Sequence, residues 1–293
     1  MKVTVFTPTY NRAHLLRRVY TSLCNQTFTN FEWILVNDGS TDNTAEVIQS
    51  FIDEKKIQIR YFFQQNAGKH VAINKAASVA KGDYFLILDS DDFLPNDSLF
   101  LLNKLMPECD VDTELAGIVG RKHYEDGTLI GSKIGANFIG TTFDIRFKRK
   151  IKGDLGEIFK TEVFKKFPFP EIENEKFCPE SLVWNRISRN FKFIFSDINI
   201  YTVEYQPDGL TSNIVKIRMN APVATMTYYS ELTQDTIPFI QKIKANINFW
   251  RFAFNSNKSF GYKWQLSKGA FLGLLMTLSY IMFCQDKIHN PKK

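Results

Sequence analysis

Cysteine is scarce in this sequence. Its 293 residues include four cysteines, at positions 24, 109, 178 and 284, which are far apart along the chain. So few cysteines at such wide spacing exclude a disulfide-rich scaffold of this size and a local zinc knuckle. We therefore expect a reduced, intracellular protein.

Long apolar segments are scarce too. The N-terminus reaches Pro8 and polar residues after a few apolar positions, so we expect no signal-peptide core. The apolar run from Gly269 to Cys284 is shorter than the roughly 20 residues that a membrane-spanning helix needs. These two features predict a cytoplasmic location.

Positive charge is concentrated at one end of the chain. The net charge is +6, but residues 214–293 contribute +8 and the remainder −2. A protein that wraps a nucleic acid spreads its positive charge over the fold, so we expect no nucleic-acid partner. With 44% hydrophobic residues, the chain can bury a core and form one large domain or two smaller ones.

Apolar strand-like runs alternate with amphipathic helix-like runs over the first hundred residues. This alternation is typical of βαβ units, so the predicted fold class is α/β with a Rossmann-like, mainly parallel sheet. The predicted strands are Lys2 to Thr7, Glu32 to Asn37, Gln58 to Phe63 and Tyr84 to Asp89. The predicted helices are His14 to Asn25, Thr44 to Glu54 with Asn43 as its N-cap, and Lys69 to Ala80.

The rest of the chain shows two further patterns. Residues 106–213 mix strand-like stretches with one helix, and we expect them to complete the sheet of residues 1–105. Residues 214–293 are predicted to be helical, with an interruption around Asn255 to Ser259. The middle elements predicted are strands at Gly117 to Arg121, Phe143 to Lys148 and Phe193 to Phe195, and a helix from Pro179 to Asn190.

Three carboxylates follow the fourth predicted strand within four residues, in Asp89-Ser90-Asp91-Asp92. Right-handed crossovers place the ends of the first four strands along one edge, where ligands bind in open α/β sheets. A hard divalent cation would relieve the repulsion among these carboxylates. The alternative is an acidic turn that caps the helix starting near Asn96, which explains Asp92 or Asp97 alone but not Asp89 and Asp91.

Two other segments at this edge carry polar groups suited to a ligand. Asp38 follows the second strand and could accept a hydrogen bond from a base-like ligand, although Asp-Gly is also an ordinary turn pair. Gly68 and Lys69 open the third helix, where N-terminal amides and an ammonium group suit an anion. A lone Gly-Lys pair lacks the full spacing of a phosphate loop.

These segments together resemble a known pattern. Pro-Thr-Tyr-Asn-Arg, Val-Asn-Asp-Gly-Ser, Asn-x-Gly-Lys and Asp-Ser-Asp-Asp, each after one strand, are similar to the motifs of family 2 glycosyltransferases of the GT-A fold. The resemblance is close over Val3 to Leu94 and looser through Thr211, including residues 177–180 and 205–210. It implies transfer of one sugar per encounter, as in bacterial surface-polysaccharide assembly.

The resemblance also implies roles for individual residues. Residues 1–105 would bind a nucleotide sugar, in particular a UDP-linked one. Asp38 would contact the base and Asp91 the ribose, while Asp92 and Asp91 would hold Mn²⁺ or Mg²⁺ on the diphosphate. The donor-binding residues implied are Pro8, Tyr10, Arg12, Asp38, Lys69, Asp89 and Asp91.

Residues 106–213 would form the acceptor-binding half of the same domain. In the family, an acidic residue at the start of a later helix is the catalytic base, and here it falls on Glu180. Many relatives have Glu-Asp at this point, whereas this chain has Ser181 second, so Glu180 is the base implied. The reaction would invert the anomeric carbon. From the residues alone, an acid favoured at a helix start by the helix dipole is the stronger interpretation of Glu180.

The C-terminal tail suggests a surface partner. Lysines and aromatic residues flank the apolar run, so residues 240–293 are interpreted as an anchor on the anionic inner face of the cell membrane. A helix buried against the catalytic domain is the alternative. Attachment at the membrane fits a lipid-linked acceptor, and a glycan acceptor is the other class expected.

Two other functions compete with glycosyl transfer. A sugar-phosphate nucleotidyltransferase has a related α/β architecture but needs a glycine-rich loop after the first strand, and residues 8–12 contain no glycine. A non-catalytic, membrane-associated binding module that keeps the fold is the other alternative. The acidic residues Asp38, Asp91, Asp92 and Glu180 argue against it.

Overall fold

A computed structural model of the protein describes residues 1–204, 213–267 and 274–289. The strands are β1 (Val3–Thr9), β2 (Phe31–Asn37), β3 (Ile59–Phe63), β4 (Tyr84–Ile87), β5 (Asp92–Phe93), β6 (Leu115–Tyr124), β7 (Phe138–Gly140), β8 (Leu155–Lys160) and β9 (Lys192–Val203). The helices of the first two hundred residues are α1 (Ala13–Cys24), α2 (Thr44–Glu54), α3 (Lys69–Val79), α4 (Ser98–Val111), α5 (Thr161–Phe164) and α6 (Glu180–Ser188), with a π-helix at Asp144–Lys148. The later helices are α7 (Ile214–Asn220), α8 (Pro222–Gln234), α9 (Phe239–Ala253), α10 (Phe260–Ser267) and α11 (Leu274–His289).

The strands form one mixed sheet in the order β3-β2-β1-β4-β8-β6-β9-β5, and β7 pairs with β9. The first four strands are all parallel, as the alternation of strands and helices predicted. In the other half, β8 is antiparallel to both β4 and β6, whereas β6 and β9 are parallel. The α/β class predicted from the sequence is therefore confirmed.

Apolar side chains explain why the first half is so regular. β1 and β2 are buried along their whole length, as expected for strands with both faces covered. Tyr20 of α1 stacks on Phe51 of α2 with ring centroids 4.3 Å apart, and Trp33 of β2 lies 6.2 Å from each ring. This aromatic cluster holds α1 and α2 against one face of the sheet.

Three local predictions are corrected by the structure. Phe143 to Lys148 is not a strand: a π-helix begins at Asp144, whose carboxylate accepts the Thr141 N–H at 2.8 Å. β4 ends at Ile87 rather than Asp89, since the chain turns where the Asp92 N–H donates to the Asp89 carbonyl at 3.1 Å. Asn43 makes no side-chain cap bond, and Asp42 instead accepts the Thr44 N–H at 3.1 Å.

The chain divides into two compact units. The first comprises Met1–Pro168 and Arg186–Gln206, and the second comprises Phe169–Asn185 and Pro207–Lys293. The whole sheet belongs to the first unit. The helical tail belongs to the second, with the predicted interruption between α9 and α10.

The second unit has its own small core. Buried side chains from α8, α9 and α11, among them Met226, Phe249 and Phe283, pack together. Arg251 of α9 and Asp286 of α11 form a two-point ion pair with distances of 2.5 and 2.6 Å. No helix within the described ranges is long and apolar enough to cross a membrane. Part of the apolar run of the tail, residues 269–273, lies outside those ranges.

Candidate functional site

Four loops meet at one edge of the sheet because of the register of the parallel strands. Thr9 at the end of β1 is opposite Asn37 at the end of β2, and Asn37 is opposite Phe63 of β3. Phe6 of β1 is opposite Ile87, the last residue of β4. The segments that follow these strands therefore leave the sheet side by side, as the sequence predicted.

The loop after β1 is fixed to the loop after β2. Pro8 is buried beyond the last residue of β1 that pairs with β4, so its missing N–H costs no bond to β4. Asn11 has a φ of 52°, and its N–H donates to Ser40 Oγ at 2.9 Å. Its side-chain oxygen accepts the Thr41 N–H at 2.8 Å. Tyr10 is 47% exposed, which leaves its ring accessible to a planar ligand.

Asp38 organises the loop that precedes α3. Its buried carboxylate accepts the backbone N–H groups of Ala67 and Gly68, each at 2.8 Å, and the Gln64 side-chain amide at 2.7 Å. Gly39, at φ +78°, packs so closely that a Cβ there would lie 2.7 Å from the Asn66 nitrogen. A carboxylate offers about four acceptor sites, so Asp38 retains room for roughly one further donor. A contact to a base stays a prediction.

Lys69 and Asp89 form an ion pair across this edge. The Lys69 ammonium lies 2.6 Å from one carboxylate oxygen of Asp89 and 2.8 Å from the other. Lys69 is the first residue of α3, and Asp89 follows β4. Both residues were predicted at the donor site, but their pairing was not. The two residues are twenty positions apart, and no sequence pattern indicates that they pair.

Asp91 and Asp92 carry charge that the protein alone does not fully balance. Burial, and then the charge of Asp89, raise the pKa of Asp91, while Lys69 and Arg12 act in the opposite direction. Burial raises the pKa of Asp92 to about 7, and Asp89 and Asp91 add to the rise although Lys122 opposes it. Because this pKa is above that of the unfolded chain, ionising Asp92 as the pH rises towards 7 costs folding free energy. A bound cation would remove that cost.

Two residues of this site were missed by the sequence analysis. Lys122 of β6 lies 2.9 Å from the carboxylate of Asp154 and 3.5 Å from that of Asp92. Its ammonium also lies 5.1 Å from the ring centroid of Tyr201, whose hydroxyl donates to the Ile87 carbonyl at 2.7 Å. Lys122 and Asp154 are in the half of the sheet where few elements were predicted. Only the pairing of β6 with β8 and β9 brings them to Asp92.

The donor set fits a cation shared with a phosphate ligand. Among the residues that the structure describes, no three His, Cys, Asp or Glu side chains form a ready-made metal cage. Mg²⁺ and similar ions are commonly held by one or two carboxylates plus the phosphates of a substrate. Asp92 and Asp91, with pKa values raised by burial and by the charge of Asp89, suit that mode of binding.

Glu180 lies in the second compact unit. It is the first residue of α6, so the predicted helix is confirmed and Glu180 lies in its first turn. Its role as a base stays a prediction. Another carboxylate of this unit, Glu175, is structural: it accepts the N–H groups of Val223 and Ala224 at 2.7 and 2.8 Å and so caps α8. The motif stretch 205–210 is outside the described residues.

Comparison with known sequences gives consistent matches. A family model for glycosyl transferase family 2 matches residues 4–166. An uncharacterized glycosyltransferase of Haemophilus influenzae is 27% identical over 240 residues, which cover 78% of this chain and 92% of that protein. Chondroitin synthase of Pasteurella multocida is 39% identical over 132 residues, which are 44% of this chain but 13% of the synthase. The shared stretch is thus a small part of that relative.

Two solved structures share the fold. S. aureus TarS 1–349 in complex with UDP matches with a TM-score of 0.63 and 20% identity, covering 99% of this chain and 81% of that one. The mannosyltransferase PcManGT from Pyrobaculum calidifontis, in complex with GDP-Man and Mn²⁺, matches with a TM-score of 0.59 and 18% identity. That match covers 99% of this chain and 88% of the mannosyltransferase.

Proposed function

The chain belongs to glycosyl transferase family 2 and has the GT-A fold, and from this premise we propose that it moves one sugar from a UDP-linked donor to a hydroxyl group of a glycan or lipid-linked acceptor. The observation that carries the proposal is the sheet edge where Asp38, Lys69 and the acidic run after β4 come together. Its buried carboxylates and flanking cations suit a nucleoside diphosphate better than a neutral ligand.

The donor site is built from the four loops of that edge. Tyr10 would pack against the base and Pro8 would shape the wall beside it, while Asp38 would use its remaining acceptor capacity for the base. Asp91 would accept hydrogen bonds from the ribose hydroxyls. Arg12 would supply positive charge near the diphosphate, and Asp89 would hold the Lys69 ammonium in position beside it.

Asp92, with Asp91, would hold a divalent cation, Mn²⁺ or Mg²⁺. The Mn²⁺ named with the mannosyltransferase neighbour supports this choice. When bound, such an ion stabilises the negative charge that develops on the departing diphosphate. Asp92 would bind the ion only in its ionised form, and its burial would keep water from competing for the ion.

Glu180 would be the general base of an inverting displacement. Its carboxylate takes the proton of the acceptor hydroxyl as that oxygen forms a bond to C1 of the sugar. The bond from C1 to the diphosphate breaks on the opposite face, and UDP leaves with the electron pair. The product is a glycoside of inverted configuration plus UDP, and the proton stays on Glu180 until it passes to solvent.

The tail of the second unit supplies a surface suited to an anionic membrane. On α10 and α11, large apolar side chains are exposed to solvent, namely Phe260, Tyr262, Trp264, Leu278, Tyr280 and Ile281. We call these the apolar tail surface. Lys258 lies over the exposed ring of Tyr262 at 5.6 Å, and Lys287 lies over the buried ring of Phe283 at 4.8 Å. Exposed aromatic residues beside lysines are typical of helices that bind the interface of an anionic leaflet.

Thermal unfolding with nucleoside diphosphates tests the donor site. We expect UDP with Mn²⁺ to raise the unfolding midpoint of the full chain, by an amount equivalent to about 2.7 kcal/mol at 100 times its Kd. Asp92→Ala should abolish the Mn²⁺-dependent part of the shift. Asp97→Ala is the matched control, because Asp97 precedes α4 and makes no side-chain cap bond.

Three results would count against the proposal. The first is a folded protein whose midpoint does not change with any nucleoside diphosphate, with or without Mn²⁺. The second is an equal Mn²⁺-dependent shift of the midpoint in wild type and in Asp92→Ala, which would show that Asp92 does not hold the metal. The third is a loss of the shift in Asp97→Ala as large as in Asp92→Ala.

A further inference from the structure

A strongly basic segment lies in the first unit, far in sequence from the basic tail. Residues 146–152 contain five lysines or arginines and no acidic residue. Four of these side chains, Lys148, Arg149, Lys150 and Lys152, are exposed. Because the whole of residues 1–213 has a charge of −2, the overall balance hides this local excess. We call residues 146–152 the basic segment.

The backbone of the basic segment is held by several hydrogen bonds, so the points from which its charged side chains extend are fixed. The Arg146 guanidinium donates to the carbonyls of Ile151 at 3.2 Å and Gly153 at 2.7 Å. The Ile151 N–H donates to the Ile145 carbonyl at 3.0 Å, and the Ser132 N–H donates to the Lys152 backbone carbonyl at 3.1 Å. These bonds tie the segment to itself and to the loop after β6.

Little of this charge is neutralised by the protein. Lys148 pairs with Asp144 at 2.5 Å, and the Arg149 guanidinium lies 3.7 Å from the ring centroid of Phe138. Lys150, Lys152 and the neighbouring Lys133 show no carboxylate partner in the part of the chain that the structure describes. The described part of this surface therefore presents three ammonium groups, on Lys133, Lys150 and Lys152, that have no carboxylate partner.

A buried arginine adds to the positive potential below this surface. Arg121 of β6 is fully buried, and one of its nitrogens donates to the Ile130 carbonyl at 2.6 Å. Its Nε and Nη1 have no hydrogen-bond partner among the described residues. Asp197 acts on it electrostatically, but that carboxylate accepts the N–H groups of Ile134 and Gly135 at 2.7 and 2.8 Å. Asp154 also acts on the guanidinium electrostatically, so its charge is balanced by carboxylates that make no hydrogen bond to its Nε or Nη1.

The basic segment adjoins the acidic site from the other half of the sheet. It ends two residues before Asp154, whose carboxylate lies 2.9 Å from Lys122, and Lys122 lies 3.5 Å from Asp92. The loops assigned to the nucleotide follow β1 to β4, whereas the basic segment lies between β7 and β8. A donor in the first half would leave this surface free for the other substrate.

We propose that the basic segment, with Lys133, binds an acceptor that carries repeated anionic groups, either phosphodiesters or carboxylates, while the buried Arg121 adds positive potential without touching the acceptor. The inference rests on the proposed function, because it assigns the second substrate of that site. A neutral glycan would leave the ammonium groups without a counter-charge. An acceptor with anionic groups along its length would neutralise them and bring its hydroxyls towards Asp92.

The test measures binding of three fluorescent probes to the full chain: a short inorganic polyphosphate, an oligogalacturonate and a neutral maltodextrin. The loop variant combines Lys133→Gln, Lys150→Gln and Lys152→Gln. The matched control combines Lys104→Gln, Lys165→Gln and Lys166→Gln, which removes the same charge from exposed positions on other elements. Midpoints of thermal unfolding confirm that both variants fold.

We expect wild type and the control to bind one of the anionic probes, and the loop variant to bind it about tenfold more weakly at low salt. The maltodextrin should bind more weakly than either polyanion. Tighter binding of polyphosphate would indicate an acceptor with phosphate groups, and tighter binding of oligogalacturonate an acceptor with carboxylates. Each preference should decrease as salt rises, since exposed charges are screened.

Equal binding by the loop variant and the control would overturn the inference, and so would a failure of wild type to bind either polyanion. Loop-dependent binding to phosphatidylglycerol vesicles but to neither oligomer would assign the basic segment to a membrane instead. The UDP and Mn²⁺ shift is recorded on the same samples. Its absence counts against the proposed function, whereas an intact shift with no loop effect counts against this inference alone.

Discussion

Lys122 takes the position of a counter-cation beside the acidic run. Its ammonium is 3.5 Å from Asp92 and 2.9 Å from Asp154, and its side chain is largely buried. When both groups are buried, an ammonium at this distance lowers the free energy needed to ionise the carboxylate. It also repels a divalent ion that binds to the same carboxylate. If Asp92 holds a metal as proposed, Lys122 would therefore set how tightly that metal binds before any nucleotide does.

Replacing this lysine tests that balance. We expect Lys122→Met to lower the Kd for Mn²⁺ in the absence of nucleotide by about tenfold, equivalent to about 1.4 kcal/mol. The Kd is measured by electron paramagnetic resonance of free Mn²⁺, which needs no activity. Lys160→Met is the control, since Lys160 donates to the Asp112 carbonyl at 2.9 Å. An unchanged or weaker Mn²⁺ affinity in Lys122→Met would refute this role.

At the scale of elements, a buried carboxylate joins the parallel strands. Glu32 of β2 is fully buried and accepts hydrogen bonds from Thr4 of β1 at 2.8 Å and from the Lys81 N–H at 2.7 Å. The Arg60 guanidinium of β3 donates to its other oxygen at 3.1 Å. Burial alone would raise the pKa of Glu32, but these bonds outweigh it and lower the pKa below the ordinary 4.5.

Glu32→Gln should therefore destabilise the sheet by about 1.5–3 kcal/mol at pH 7, because it removes the charge-assisted hydrogen bond from Arg60 and replaces one buried acceptor oxygen with an amide donor. A lowered pKa gives stability that is present above the unfolded value and lost as the pH falls. The difference between variant and wild type should thus shrink below pH 4.5. Urea unfolding of both proteins at pH values above and below 4.5 measures this difference in the free energy of unfolding. Glu108→Gln, at an exposed position of α4, should change little, and an equal effect there would exclude the network as the cause.

At the scale of the whole molecule, the two units present different surfaces. The first unit carries the acidic site and the basic segment. The second carries the apolar tail surface, in which Phe260 stacks on Trp250 at 6.0 Å and contacts Trp264 at 6.2 Å. Phe260 and Trp264 are 61% and 41% exposed, so their rings can be replaced without opening the core.

We expect the full chain to float with vesicles that contain phosphatidylglycerol, and the double variant Phe260→Ser and Trp264→Ser to stay in the dense fraction. The physical reason is the loss of two aromatic side chains from an interfacial surface. Phe100→Ser removes an exposed ring from α4 and is the matched control. Equal flotation of all three proteins would exclude the apolar tail surface as the membrane contact.

Much of the first half of the fold could be predicted from the sequence. The apolar runs of β1 to β4 and the amphipathic helices between them carry their own periodicity, so local residues suffice to place them. The second half could not be predicted as well. β8 contains Gly156 and Glu157, which interrupt its apolar pattern, and it becomes a strand because β4 and β6 pair with it from both sides.

The same division holds for the candidate site. By itself the sequence determined the family, the α/β class and the loops that carry Asp38, Lys69 and Asp92, because each loop directly follows a strand and the strands are parallel. Only the tertiary structure decided which charges meet. The pairing of Lys69 with Asp89, the position of Lys122 against Asp92 and Asp154, and the basic segment beside them depend on strand order. Strand order is set by contacts between residues far apart in the chain, and no local pattern encodes it.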